Sequence, residues 1–585
     1  MDWFNIVECL RETVLSVASN VGAFQGFKDP EIRLAEERFG DLQVNGVISF
    51  AKKAGMNPKI LAEKLTDAFI RSDHQRYFAV EVSGPGFINF RMTSNFFINW
   101  ISNNSDANKI QATASNLFKG KKIVIDYSSP NTAKQMHVGH LRSMIIGESI
   151  QRMFKFCGAD VVRDNHIGDW GTQFGILLAE IKIGKINLSN LPSEEVLDLL
   201  EAIYRNGNEK AKNDSSFLER ARNELVKLQA GDKENLAIWE QINRVSYQAF
   251  DDIYREMNVE FDYVLGESFY RDKVDRVYGE LEESGIAEHN DGALVVFHRE
   301  HERFRKQPFI IRKSDGASNY ATTDLATVLY RSETFDADEL IYVTDGRQQD
   351  HFNQLFRTIS KWFGHFDRKI PELRHVWFGT VLGENSKAIK TRSGEAIKLK
   401  QLLDEAKRRA YDVVSEKSPD LSEEEKRKVA RAVGLGAVKY ADLSQNRTHD
   451  YVFSWDKMLS FDGNTAPYLL YALARIYAIF RKIKNKAILN EAVMTQLTTK
   501  EEHFLCRKIV MFPVMLAQAI DDLRPHLLCN YLYELASEFS AFYNLNRVID
   551  EDSEVFGRRM IICSRALDIL KIGLELLGLE PLEKM

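Results

Sequence analysis

The feature that most constrains the fold is a buried-strand run followed at once by a polar loop and a helix. Ile123-Val124-Ile125-Asp126-Tyr127 is apolar enough to lie inside a sheet, and residues from Leu141 to Phe156 carry helical spacing. After Gly158 comes a second strand-like run, Val161-Val162-Arg163-Asp164-Asn165. This β-loop-α-β order predicts parallel strands joined by a right-handed crossover. The order returns in Leu340-Ile341-Tyr342-Val343-Thr344, a helix from His351 to Phe363, and His375-Val376-Trp377-Phe378-Gly379. Two such halves predict a doubly wound α/β catalytic domain of Rossmann type, with its ligand crevice at the carboxyl ends of the strands.

The flanking segments follow other rules. Residues from Leu177 to Glu256 are helical in pattern and highly charged, and read as an insertion over about 177–260. Toward the N-terminus, Leu61 to Ile70 is an amphipathic helix, and Phe78 to Phe90 is two strands broken by Gly84-Pro85-Gly86. Asn103-Asn104-Ser105-Asp106 reads as a polar linker. From about Lys400 onward nearly everything has helical period, which predicts an all-α bundle. The expected division is an N-terminal α+β domain (1–112), the catalytic domain (113–400) and the helical domain (401–585), and a chain of 585 residues is long enough for three. The apolar stretch from Tyr468 to Phe480 is interrupted by Arg475 and reads as a core helix, so no membrane association is expected. Met1-Asp2-Trp3-Phe4 has no basic leader, and the five cysteines are scattered without a CxxC pair. A cytoplasmic protein without disulfides or a zinc site is expected. With a net charge of −6, contact with nucleic acid would need local basic patches and shape recognition.

Chemistry concentrates first in Ser128-Ser129-Pro130-Asn131-Thr132-Ala133-Lys134-Gln135-Met136-His137-Val138-Gly139-His140. The segment lies between a strand and a helix start, where backbone amides and the helix dipole favour phosphate. Gly139 lets a nucleotide approach the backbone. His137 and His140 are three apart, share a face of a first helical turn, and can donate to phosphate oxygens as charge develops. Two surface histidines alone would look the same. The strand before, Pro-Asn upstream and the helix after select the phosphate reading.

This segment resembles the histidine signature of the class I aminoacyl-tRNA synthetases, and SPNTAKQMHVGHLRS resembles the arginyl enzymes in particular. So does Asn165-His166-Ile167-Gly168-Asp169-Trp170-Gly171-Thr172-Gln173-Phe174-Gly175, and further matches run to Leu577-Gly578-Leu579. In that family a mobile lysine loop, KMSKS, offsets charge on the triphosphate. Lys390-Thr391-Arg392-Ser393-Gly394 occupies its place here but lacks the second lysine. The resemblance implies that Lys134 substitutes, with Lys390 and Arg392 also near ATP. A guanidinium has five donors and no acceptor, so its pocket needs carboxylates and carbonyl oxygens. The resemblance implies Asp324 and Gln348 for the guanidinium, Tyr320 as a packing wall, and Glu267 and Asn131 for the α-amino end. Such a site rejects lysine because buried acceptors would go unpaired.

The family's two-step reaction would form arginyl-adenylate from L-arginine and ATP, then transfer arginine to the 3′ end of tRNA(Arg). ATP would arrive with Mg2+, with no tightly bound protein metal, and a monomer is expected. The N-terminal domain would grip the tRNA elbow, with Phe87 stacking on a base and Asn89 reading its edge, although a core Phe and a turn-closing Asn fit equally. Tyr440 to Arg447, Gly463 to Tyr468 and Leu523 to His526 match family positions in a helical domain that would read the anticodon. Two rivals stand beside this reading: a small HxGH nucleotidyltransferase, which would lack the long helical tail, and a non-catalytic tRNA-binding paralogue, which would be free to lose His137, His140 or Asp324.

Overall fold

The computed structural model describes residues 3–188, 193–314, 316, 319–383, 397–483 and 493–585. They form two compact units, Met1–Leu117 with Leu459–Met585, and Phe118–Met458.

The first unit opens with a four-stranded antiparallel sheet in the order β1-β2-β4-β3 (β1, Ile32–Leu34; β2, Leu42–Val44; β3, Phe78–Ser83; β4, Phe87–Met92). Helices α1 (Ile6–Ser19), α2 (Gly46–Ala54), α3 (Pro58–Ile70), α4 (Ser94–Asn103) and α5 (Ala107–Ala114) accompany it. Gly86, at φ +133°, turns β3 into β4 with its Cα against the Pro58 carbonyl, where a Cβ would come within 2.9 Å. Residues 103–106 are not a linker. Asn104 is buried, and Asp106 caps α5 by accepting from the Lys109 amide. The C-terminal part adds helices Ala466–Lys482, Lys500–Val510, Phe512–Asp521, Pro525–Leu545 and Ser553–Leu576. Lys500–Asp521 has the length and apolarity to cross a membrane, but 56% of its most apolar window is buried, as in a core helix. Inside this bundle Glu502 accepts from Arg558 at 3.2 Å and Arg559 at 2.9 Å.

The second unit is built on a parallel sheet. Strand β5 (Lys122–Asp126) leads through α6 (Val138–Phe156) to β6 (Asp160–Asp164). The insertion follows as α7 (Thr172–Gly184), α8 (Ser193–Asn213), α9 (Ser215–Gln229) and α10 (Lys233–Glu256), packed around Phe174, Leu178, Val196, Leu200 and Ile242. After α11 (Val274–Glu283) comes a small antiparallel sheet of β7 (Ala287–Asn290), β8 (Ala293–Val296) and β9 (Phe309–Arg312). Helix α12 (Tyr320–Phe335) then leads to β10 (Glu339–Asp345), α13 (Gln349–His365) and β11 (Glu372–Phe378). The parallel sheet runs β11-β10-β5-β6. The chain therefore leaves β5 in one direction and β10 in the other, and the switch point opens at the carboxyl ends of that central pair.

The unit continues past residue 400. Helices α14 (Leu399–Lys417) and α15 (Glu423–Leu443), expected in the C-terminal helical domain, pack on α6 instead. They cross closely at Gly434, where a Cβ would come within 2.7 Å of the Ala406 carbonyl oxygen. Asp442, in the segment Tyr440 to Arg447, is buried against Arg142 of α6 at 3.0 Å, so that segment supports the sheet domain.

At the sheet's carboxyl edge sits a buried triad. Arg331 of α12 donates to Asp126 at 2.7 Å and to Asp164 at 2.8 Å, the last residues of β5 and β6. Burial pushes the Asp164 carboxyl up and Arg331 opposes it. Arg331→Ala would strand two buried carboxylates and is expected to cost about 3–5 kcal/mol, read as a lower midpoint in urea unfolding of the full chain. Arg331→Lys should recover only part, because an ammonium lacks the fork that spans both acids. An alanine variant with the parent midpoint would show that the triad does not hold α12 to the sheet.

Candidate active site

The loop after β5 is held in a conformation that few side chains adopt unaided. Ser128, Ser129 and Ala133 have φ of +73°, +46° and +64°. Each is pinned from a different element. The Ser128 amide donates to Ser143 Oγ at 2.9 Å, and Ser143 in turn donates to the Val343 carbonyl of β10 at 2.6 Å. The Ser129 amide donates to Asn165 Oδ1 at 3.0 Å, and the Ala133 amide to Ser246 Oγ of α10 at 2.9 Å. Thr132 N donates to the Gly168 carbonyl, while Gly168 N donates to that of Pro130. Asn131 lies over Gly168 so closely that a Cβ there would come within 2.0 Å of its Oδ1.

This loop delivers His137 as the N-cap of α6. The Gly139 amide donates to His137 Nδ1 at 3.0 Å, and the His137 amide donates to His140 Nδ1 at 3.1 Å, a reciprocal capping box. Both Nδ1 atoms are acceptors, so each neutral ring carries its proton on Nε2. Burial, and then the charge of Lys134, lowers His137; burial and His137 hold His140 down at about 3. Neutral rings with fixed Nε2–H groups donate to an anion with little reorganisation. Gly139 has a second duty beyond admitting a ligand: a Cβ would meet the His137 ring at 2.7 Å.

The segment 384–396, with Lys390 and Arg392, lies outside the described residues. Its two stems are described. Before it, β12 (Val381–Leu382) pairs with β13 (Tyr451–Val452). After it, Lys398 bridges to His137, Val138 N donates to the Ile397 carbonyl at 3.1 Å, and Leu399 N to that of Met136 at 2.9 Å. Residues 397–399 therefore lie directly beside the histidine turn.

On the other side of the crevice three carboxylates converge. Asp169 is buried and accepts from the Ser268 amide at 2.8 Å, Ser268 Oγ at 2.6 Å and Tyr247 OH at 3.0 Å. These bonds clamp the turn that presents Glu267. Burial, with the charges of Asp169 and Asp324, pushes the Glu267 carboxyl well above its ordinary value, and no salt bridge to it exists among the described residues. Asp324 shares a face of α12 with Tyr320 and accepts from His351 Nε2 at 2.5 Å. Burial pulls His351 down, but that bond and the charge of Asp324 outweigh it, and its pKa is raised. Tyr320 is 68% exposed at the start of α12. Partial desolvation, then the charges of Glu267, Tyr204 and Asp324, raise its pKa. Gln348 is exposed at the N-cap of α13, three residues before His351, and no hydrogen bond links it to Asp324 among the described residues. Lys134 sets its ammonium 4.9 Å from the Tyr204 ring centre.

Sequence reasoning assigned no role to Asp169, His351, Tyr204 or Arg331. Asp169 had a signal in its place between glycines in the Asn165 to Gly175 motif, and His351 had one in its place beside Gln348, just after the strand ending at Thr344. In the first unit Phe87 is half-buried at the start of β4. Asn89 is a correction: it is 2% exposed, and its amide accepts from Gln43 and donates to Ser83 inside the sheet, so it presents no edge to a base.

The chain is similar to known proteins over its whole length. A family model for the class I tRNA synthetase (R) catalytic domain matches residues 104–455. Models for the arginyl tRNA synthetase N-terminal domain and the DALR anticodon binding domain match 6–92 and 469–585. An arginine–tRNA ligase of Fusobacterium nucleatum is 43% identical, over 95% of this chain and 96% of that one. One of Laribacter hongkongensis is 41% identical over 97% of each. The crystal structure of the Plasmodium falciparum arginyl-tRNA synthetase is similar with a TM-score of 0.81 and 29% identity, over 99% of both chains. The Thermus thermophilus structure, 22% identical with a TM-score of 0.80, shares the fold over 99% of this chain and 100% of that one.

The capped turn predicts that His140 shows no titration between about pH 5 and 8 and keeps its proton on Nε2, read by imidazole 15N NMR. An inflection near the ordinary imidazole value, or an Nδ1–H signal, would dismiss the capping geometry as the source of its donor.

Proposed function

Because the chain belongs to the arginyl-tRNA synthetase family, we propose that the β5–α6 turn holds ATP while Asp324 and Glu267 hold arginine. The enzyme is an arginine–tRNA ligase: it activates arginine with ATP and transfers it to tRNA. In the first step a carboxylate oxygen of arginine bonds to the α-phosphorus, and the bond to pyrophosphate breaks with its electron pair leaving on pyrophosphate. In the second, a terminal ribose hydroxyl of tRNA attacks the carbonyl carbon of the adenylate, AMP departs, and the hydroxyl proton is lost to solvent. Positioning and charge stabilisation accomplish both.

The observation that carries the arginine assignment is the convergence of Asp169, Glu267 and Asp324 with no salt-bridge partner for Glu267 among the described residues. A guanidinium and an α-ammonium supply the missing positive charge. Asp324, oriented by His351, and Gln348 take the guanidinium, Tyr320 walls the pocket, and Glu267 with Asn131 takes the α-amino end. His137, Gly139 and His140 meet the phosphates, joined by Lys134, Lys390 and Arg392. Mg2+ arrives as part of the ATP substrate. Phe87 meets the tRNA elbow from the N-terminal domain, taken as residues 1–112, and the C-terminal helices read the anticodon. The enzyme acts as a monomer in the cytoplasm.

Arginine-dependent pyrophosphate exchange, measured with and without tRNA and with lysine and glutamine as competitors, tests this reading. Arginine should be preferred over lysine by roughly 10⁴-fold. Asp324→Asn should raise KM for arginine far more than KM for ATP, and Lys134→Ala should slow exchange by about 10²-fold. Absence of exchange under every condition would leave only a tRNA-binding protein.

A further inference from the structure

Lys134 is an unusual member of the site because the amides on either side of it are tied by hydrogen bonds while its ammonium rests on an aromatic ring. The neighbouring Ala133 amide is tied to Ser246 and the Gln135 amide to Glu201 Oε1 at 2.7 Å. The lysine side chain instead borders a cavity of about 670 Å³ with Glu201, Tyr204 and Arg205. Among the described residues, the group that contacts its ammonium is the Tyr204 ring, 4.9 Å away at its centre. An ammonium at that distance from an aromatic face is attracted by the ring quadrupole.

The ring itself cannot drift from the loop. Tyr204 packs against the core of the insertion. Its helix, α8, is tied to the phosphate loop by two more residues on the same side, at three-residue spacing. Glu201 accepts from the Gln135 amide, and Asp198 accepts from both the Gln135 side chain and Lys398, at the returning stem of the 384–396 segment. One helix of the insertion thus holds both the loop after β5 and Lys398, and offers Lys134 an aromatic rest on the same side.

We infer that Tyr204 is the positioning residue for Lys134: its ring holds the ammonium beside the histidine turn, ready for the charge that develops on ATP. The inference rests on the reading that Lys134 contacts phosphate. It assigns to α8 a part in adenylate formation, while α8 itself contributes no group to the reacting atoms.

A double-mutant cycle on the full chain, assayed by pyrophosphate exchange with saturating tRNA, separates the inference from that reading. Tyr204→Leu keeps an apolar side chain against the core but removes the ring, and kcat should fall by about tenfold with KM for arginine within about twofold. Tyr204→Phe keeps the ring and should restore the parent rate, which a purely structural role for the hydroxyl would not do. In the Lys134→Ala background, Tyr204→Leu should cause no further loss, because the two act through one contact. Circular dichroism and melting of the leucine variant check that it is folded; if it is not, the cycle is read with Tyr204→Met. Additive losses, a phenylalanine variant as slow as leucine, or a leucine variant at the parent rate would overturn the role of Tyr204 and leave that of Lys134 standing. A Lys134→Ala enzyme at the parent rate would overturn both.

Discussion

The site depends on one buried guanidinium. Arg331 joins the last residues of β5 and β6, and it does so from the helix that carries Tyr320 and Asp324. Burying three charges is expensive, and the arrangement survives only because one forked cation meets two carboxylates in place. Its effect is geometric. The carboxyl ends of two parallel strands would repel each other if both ended in unpaired acids, and the loops that leave them would splay. With Arg331 between them, the loop from β5 and the turn after β6 start from fixed points, and α12 is registered to both.

From those fixed points the phosphate loop can hold strain. Three non-glycine residues at positive φ are costly by themselves, of order 1–3 kcal/mol each. The loop persists because Ser143 of α6, Asn165 and Gly168 of the turn after β6, and Ser246 of α10 each occupy one of its amides. The outcome is a helix N-terminus whose two histidines are locked as neutral Nε2–H donors. Charge is then concentrated elsewhere, in Lys134 beside the histidine turn and in the cluster of Asp169, Glu267 and Asp324.

Much of this was legible in the sequence. The two central parallel strands, β5 and β10, declare themselves because strands buried on both faces are continuous apolar runs, and the edge strands β6 and β11 are legible from the repeated strand-helix-strand order around them. The histidine turn is readable because strand, loop and helix impose an order on Ser128 to His140. Helical periodicity, by contrast, is the same on either side of a domain edge, so the division expected at residue 400 did not see that α14 and α15 pack on α6. Asn89 looked available because alternation along β4 says which face a residue takes, not which neighbours will claim its amide. Arg331 and Tyr204 left no signal at all. A lone arginine or tyrosine on a helix is ordinary, and only the fold reveals that two carboxylates or a lysine stand opposite.

The first unit is assembled from both ends of the chain, with some 340 residues of the second between its halves. Asp41 near the start is paired with Arg507 near the end at 2.5 Å. At a synthesis rate of about 5–20 residues per second, the N-terminal half waits roughly 20 to 70 seconds for its partner to leave the ribosome. The catalytic unit, being continuous, can close during that interval. The nascent chain therefore builds its chemistry before it completes its other half, and the exposed apolar face of the early segment is the stretch for which a chaperone has the longest opportunity.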